Sequence, residues 1–162
     1  MKDGIPRLRM FAGPNGSGKT TIKNNLNRPP WWFGAYINPD EIEAALRDTG
    51  SFDISVLGLK STTAYLHSFI ETSSLTTTGQ VQISSRDVSI VSGRIVVSSV
   101  PINSYHASLL SDFLRRVCLE ARKSLTVETV MSHPDKIDLL RNAQQRGYRT
   151  YLYFVATEDP EI

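Results

Sequence analysis

Cysteine is nearly absent: Cys118 is the only one in 162 residues, so no intrachain disulfide can form and packing has to hold the fold. Cys118 sits between Val117 and Leu119 in an apolar-periodic stretch, where a buried structural thiol is expected. Histidine is scarce too. His67, His106 and His133 include no i, i+4 pair and no cysteine cluster accompanies them, which excludes the usual zinc arrangements. No uninterrupted apolar segment approaches the roughly 20 residues that cross a bilayer as a helix, and the residues before Lys19 lack a signal-peptide pattern. The expectation is a cytoplasmic protein without a membrane partner. A large excess of either charge is also missing, with 18 Lys and Arg against 16 Asp and Glu. Along the chain the balance is even, 8 against 7 over residues 1–81 and 10 against 9 over residues 82–162. The densest basic cluster, Arg115, Arg116, Arg122 and Lys123, reads as the solvated face of one helix, so no nucleic-acid partner is expected.

Apolar residues, by contrast, make up 40% of the chain, enough for a single domain over 1–162 to bury its own core. Leu8–Ala12 is a short apolar run ending at a glycine-rich turn, as a buried strand would. A helix follows from Lys19 to about Leu26, and Pro29-Pro30 forbids its continuation. Ala35–Ile37 is a second strand; Asn38-Pro39-Asp40-Glu41 then opens a helix with an Asn cap, proline at the first position and acids in the first turn. Gly50 ends it, and 52–70 reads as helical despite Gly58. Over 72–99, 12 of 28 residues are Ser or Thr, and the β-branched runs 81–83, 88–90 and 95–97 predict a small antiparallel meander inserted at about 72–103. Leu110, Phe113, Leu114, Val117 and Ala121 form the stripe of an amphipathic helix over 107–123. Strand 125–127, helix 134–146 with apolar Ile137, Leu140 and Ala143, cap Gly147 and strand 150–156 complete the order. Alternating strands and helices predict an α/β fold, a parallel sheet with helices on both faces and ligands at the carboxyl ends of the strands.

Gly13-Pro14-Asn15-Gly16-Ser17-Gly18-Lys19-Thr20 meets the pattern G-x-x-x-x-G-K-S/T between a predicted strand and a predicted helix, which makes the expected fold that of P-loop NTPases. Glycines at 13, 16 and 18 let backbone approach a polyphosphate, and the amides of Asn15, Gly16, Ser17, Gly18 and Lys19 can point into one concavity. Lys19 would bridge the β- and γ-phosphates, Thr20 would ligate Mg2+, and Thr21 could reach the α-phosphate. ATP and Mg2+ are therefore the expected cofactors. The motif alone does not choose between hydrolases, kinases, motors and switches. Asp40 follows the second strand and Glu128 the third, which predicts both at the rim that carries the loop. Asp40 reads either as a base for an attacking hydroxyl or as a helix-start acid. Glu128, with Thr129 beside it, reads either as a group holding substrate hydroxyls or water near Mg2+ or as a surface acid past a strand. Ser132 and His133 precede Pro134 and read as capping residues.

Four segments together resemble the zeta-toxin family of P-loop kinases: the loop 13–20, Tyr36-Ile37-Asn38-Pro39-Asp40-Glu41-Ile42, Val127-Glu128-Thr129-Val130-Met131-Ser132, and Gly147-Tyr148 leading to Ala156-Thr157-Glu158-Asp159-Pro160. The resemblance implies a phosphotransferase with the donor on Lys19 and Thr20, Asp40 as base, and Glu128 against a small hydroxylated acceptor. In better-known members that acceptor is UDP-N-acetylglucosamine and an antitoxin is often the partner. Self-association is the other partner expectation, and residues 51–103 carry no resemblance. Family members continue beyond the position of Pro160 into a helical lid whose arginines touch the transferred phosphate. This chain stops at Ile162, so the expectation is a shortened domain that binds ATP and transfers it poorly, since such charge is worth about 10^3 to 10^5 in rate. The competing expectation is a nucleotide-binding ATPase or switch module that acts through protein contacts.

Overall fold

The structure is a computed structural model that describes residues 4–130 and 134–156. Its strands are β1 (Arg7–Ala12), β2 (Ala35–Ile37), β3 (Ser51–Asp53), β4 (Val88–Val91), β5 (Arg94–Val97), β6 (Leu125–Thr129) and β7 (Arg149–Phe154). Its helices are α1 (Lys19–Asn25), α2 (Pro30–Phe33), α3 (Pro39–Thr49), α4 (Thr63–Thr72), α5 (Ser74–Thr77), α6 (Ser104–Glu120) and α7 (Asp135–Gln145). The chain divides into two compact units, residues 1–37 with 121–162 and residues 38–120.

The first unit is α/β. Four parallel strands run in the order β2-β6-β1-β7, flanked by α1, α2 and α7. β6 is buried along its whole length, because a strand with neighbours on both sides and helices above it has no solvated face. Its register places Val127 beside Met10 and Ile37, and Glu128 beside Phe11. β7 is the outer strand, and Leu152 and Phe154 on it are exposed. Leu8, Met10, Phe11, Leu125, Val127 and Ala143 have essentially no exposed surface and form the core of this unit.

The second unit pairs an antiparallel sheet of order β3-β5-β4 with α3, α4 and α6. α3 starts as its sequence predicts: the Asp40 amide donates to Asn38 Oδ1 at 3.0 Å, Pro39 occupies the first turn, and Gly50 closes the helix in the left-handed region. α6 buries Leu110, Phe113, Leu114, Val117 and Cys118, so the single cysteine is a core thiol. Phe113 also meets the rings of Tyr65 and Phe69 on α4 at 5.8 and 5.5 Å. Before α6 the Asn103 side chain accepts the amides of Tyr105 and His106. His106 Nδ1 accepts the Asn103 amide in return at 3.1 Å. His106 is thus a buried capping group.

Three expectations are corrected. The predicted helix over 52–70 is a strand, a short 3-10 turn and α4 instead, because Phe52 takes a cross-strand position beside Ile95 and Thr62 caps a new helix through the Tyr65 amide. Tertiary pairing overrides the mixed periodicity there. The predicted strand 81–83 is irregular: Val81 is buried, but its amide donates to Leu75 O at 2.9 Å rather than into a ladder. The hairpin at Ser92-Gly93 forms, and its third strand is β3. Finally, the basic cluster is not one solvated helix face. Arg115 is buried and bridged to Asp112 at 2.8 Å, whereas Arg122 and Lys123 lie past the end of α6 in the first unit.

Two turn carboxylates in the second unit are held below the usual carboxylate range. Asp87 accepts the backbone and hydroxyl of Ser84, and Asp53 accepts the hydroxyl and amide of Ser55. A carboxyl with a lowered pKa in the folded state adds stability above its unfolded value, which is lost as pH falls through the folded one. Urea unfolding should therefore show this contribution intact above about pH 5 and fading below about pH 4. Asp87→Asn should flatten that acid limb; an unchanged limb would count against the assignment.

Candidate functional site

β1 stops where the backbone is gripped from both sides. The Gly13 amide donates to Thr129 O of β6 at 3.2 Å, and the Val155 amide, just past β7, donates to Ala12 O at 2.7 Å. A Cβ on Gly13 would lie 2.3 Å from the Val155 carbonyl oxygen, so only glycine fits this crossing. The chain then turns through Gly16 and Gly18 at φ 75° and 87°, which side chains rarely adopt, and the Ser17 amide donates to Pro14 O. Around Gly16 and Gly18 a Cβ would meet nothing within 4 Å. Neither glycine is packed against another part of the chain.

Lys19 curls back over this turn. Its ammonium donates to Gly13 O at 2.7 Å and to Pro14 O at 2.9 Å. Neutral carbonyls are weaker partners for a cation than phosphate oxygens, so the lysine is placed on the loop without being committed to it. Ser17 Oγ is a buried oxygen with no hydrogen-bond partner among the described residues, an open donor inside the same loop. Thr20 Oγ1 donates to Glu128 Oε2 at 3.1 Å. Glu128 and Thr129 are not past the strand end, as predicted, but within β6 and buried. The surface-acid reading of Glu128 is thereby replaced by that of a carboxylate facing the loop threonine.

These features suit a magnesium nucleotide: a glycine loop, a lysine on its carbonyls, an orphan hydroxyl, and a hydroxyl-carboxylate pair of hard oxygens. Among the described residues no three His, Cys, Asp or Glu converge, so Thr20 and Glu128 would share a metal with phosphate oxygens and water. Asn15 is exposed at the loop tip and Thr21 is exposed on α1. Asp40 belongs to the other compact unit, exposed in the first turn of α3. Ser132 and His133, and Thr157-Glu158-Asp159-Pro160 of the resemblance, lie outside the described residues.

One residue beneath the site was not singled out by its sequence context. Arg9, in the middle of β1, is 3% exposed, with its guanidinium 3.7 Å from the Trp32 ring centroid and 5.4 Å from that of Tyr151. Burial pushes its pKa down, while Tyr153 opposes the shift. An arginine inside an apolar strand pattern, followed by Trp31-Trp32, is the only signal the sequence carries. The chain matches no family model, no curated protein and no solved structure.

The two kinds of glycine should separate on substitution. Gly16→Ala meets open space and should cost only the left-handed strain, about 1–2 kcal/mol in urea unfolding, whereas Gly13→Ala forces backbone apart and should cost about 3 kcal/mol or more. Gly13→Ala should also weaken nucleotide binding by moving the loop, read by calorimetry; retained stability and affinity would sink the close-approach argument.

Proposed function

We propose that the loop from Gly13 to Thr20 binds the phosphates of ATP and that the protein is a zeta-toxin-like phosphotransferase acting on a hydroxyl of a small acceptor, with UDP-N-acetylglucosamine as the first candidate. The observation that carries the reading is the Thr20 to Glu128 contact beside the lysine-capped glycine loop. It joins a hydroxyl and a carboxylate from separate elements at the mouth of a turn built to admit an anion. Lys19 exchanges the carbonyls of Gly13 and Pro14 for phosphate oxygens, and Ser17 gives its unpaired hydroxyl to the same anion. Thr20 would hold the cation through the hydroxyl that it gives to Glu128, and Glu128 would order water or acceptor hydroxyls there. Bound ATP with Mg2+ supplies the transferable phosphoryl group and the charge that neutralises it. Asp40 is the proposed base: it takes the proton of the acceptor hydroxyl as that oxygen bonds to phosphorus and ADP leaves.

Calorimetric titration with ATP and Mg2+ tests the first half. Wild type should bind, and Lys19→Ala should bind at least tenfold more weakly while keeping its circular dichroism spectrum; equal affinity would remove the nucleotide reading. Transfer of label from ATP to sugar nucleotides tests the second half. Asp40→Asn should lower kcat by about 10^2 or more with ATP affinity unchanged. Full-rate transfer by that variant would rule out Asp40 as base.

A further inference from the structure

The even balance between the two halves of the chain hides an uneven one between its two compact units, and the excess lies in residues 1–37. Residues 1–37 and 121–162 form the first unit, and together they hold twelve Lys and Arg against seven Asp and Glu, a net of +5. Residues 38–120 hold six against nine, a net of −3. Within the first unit cations stand at both ends of the strands, Lys19 and Lys136 among those at the carboxyl end, but the described acids stand at one. Glu128, Asp135 and Asp138 lie at or beyond the carboxyl end of β6, whereas the amino ends of the parallel strands carry cations.

That amino rim is one continuous surface. Arg7 and Arg149 open β1 and β7 and stand opposite each other in the register. The Arg149 amide donates to Pro6 O at 3.0 Å, and the Arg7 amide donates to Ser124 Oγ at 3.0 Å. The turn before Ser124 contributes Arg122, whose Nη1 donates to the carbonyl of Arg146, and Tyr148 Oη bonds the Lys123 carbonyl at 2.9 Å. Arg122, Arg146 and Arg149 are exposed and Arg7 is half-buried. None of the four makes an ion pair among the described residues; Asp3 is outside the described residues. The Ala35 amide donates to Ser124 O at 2.9 Å, which ties α2 to the same edge. There Trp31 is 76% exposed, and Arg28 lies 5.6 Å from the ring of its neighbour Trp32. Like charges gathered without counter-ions repel one another, and the exposed indole of Trp31 is costly to solvate.

We propose that this rim binds single-stranded nucleic acid, with Arg7, Arg122, Arg146 and Arg149 on successive phosphates and Trp31 stacked on a base. The pairing of a cationic track with an exposed aromatic platform is what such a strand requires. A second copy's acidic unit would satisfy the charge but gives the indole no ring to stack on, and an anionic membrane, which would also seat an indole, is set apart by the vesicle arm of the test below. The surface lies at the opposite end of the strands from the glycine loop, so the inference stands apart from the nucleotide reading.

Fluorescence anisotropy with labelled mixed-sequence single-stranded RNA and DNA, titrated over salt, tests it. Wild type should bind, and Lys19→Ala should bind equally. The combined Arg122→Gln, Arg146→Gln and Arg149→Gln variant should bind at least tenfold more weakly, with the log–log salt slope reduced by about 2, at about 0.7 per phosphate contact. Because Arg122 also caps a carbonyl, Arg146→Gln with Arg149→Gln alone serves as the milder variant, with a slope reduced by about 1.4. Trp31→Ala should weaken binding about tenfold and leave the slope unchanged. Removing three charges elsewhere, by Arg47→Gln, Lys60→Gln and Arg86→Gln, should have little effect. Absence of binding, equal loss in that control, binding to anionic vesicles only, or self-association abolished by the rim substitutions would each overturn the proposal.

Discussion

The candidate site depends on one backbone crossing. At Ala12-Gly13 the end of β1 is held by Thr129 on one side and Val155 on the other, and the space left is too small for any side chain at position 13. Everything downstream inherits its position from that grip. The loop can only rise off the sheet, Lys19 falls back onto its carbonyls, and Thr20 arrives within 3.1 Å of Glu128. A parallel ladder makes this possible because its strands all end at the same edge, so groups from distant stretches of chain meet there.

The middle strand of the sheet is the second constraint. β6 pairs with β1 and β2 and is buried throughout, yet it carries Thr126, Glu128 and Thr129. Burying such groups is costly unless each is satisfied. Thr126 donates to Phe33 O at 2.7 Å and Glu128 accepts from Thr20. The polar residues of β6 thereby fasten α2 and α1 to the sheet, and the same bonds that relieve their burial build the two rims. Arg9 departs from that rule, its buried guanidinium lying against the rings of Trp32 and Tyr151 with Nε left without a hydrogen-bond partner among the described residues.

The second unit is one contiguous stretch set between the two parts of the first, and cutting the chain at its midpoint hides the charge of each. Residues 1–37 carry the excess, six Lys and Arg against one Asp, whereas 121–162 are balanced at six against six. The common direction of the strands then brings Arg7 to the same edge as Arg122 and Arg149.

Much was legible in advance. The glycine loop, the strand before it, the Asn38 cap with Pro39, the stripe of α6 and the hairpin at Ser92-Gly93 depend on neighbours within a few residues, where local sterics and periodicity decide the outcome. Residues that answer to distant partners were read less well. Phe52 became a strand because Ile95 stands beside it, and Glu128 moved inside β6 because β1 extends alongside it. By itself the sequence determined where the glycine turn and its lysine lie, since that geometry is local. Only the tertiary structure decided which acid faces the loop threonine, and which arginines share the amino edge of the sheet, since both follow from long-range pairing that folding alone creates.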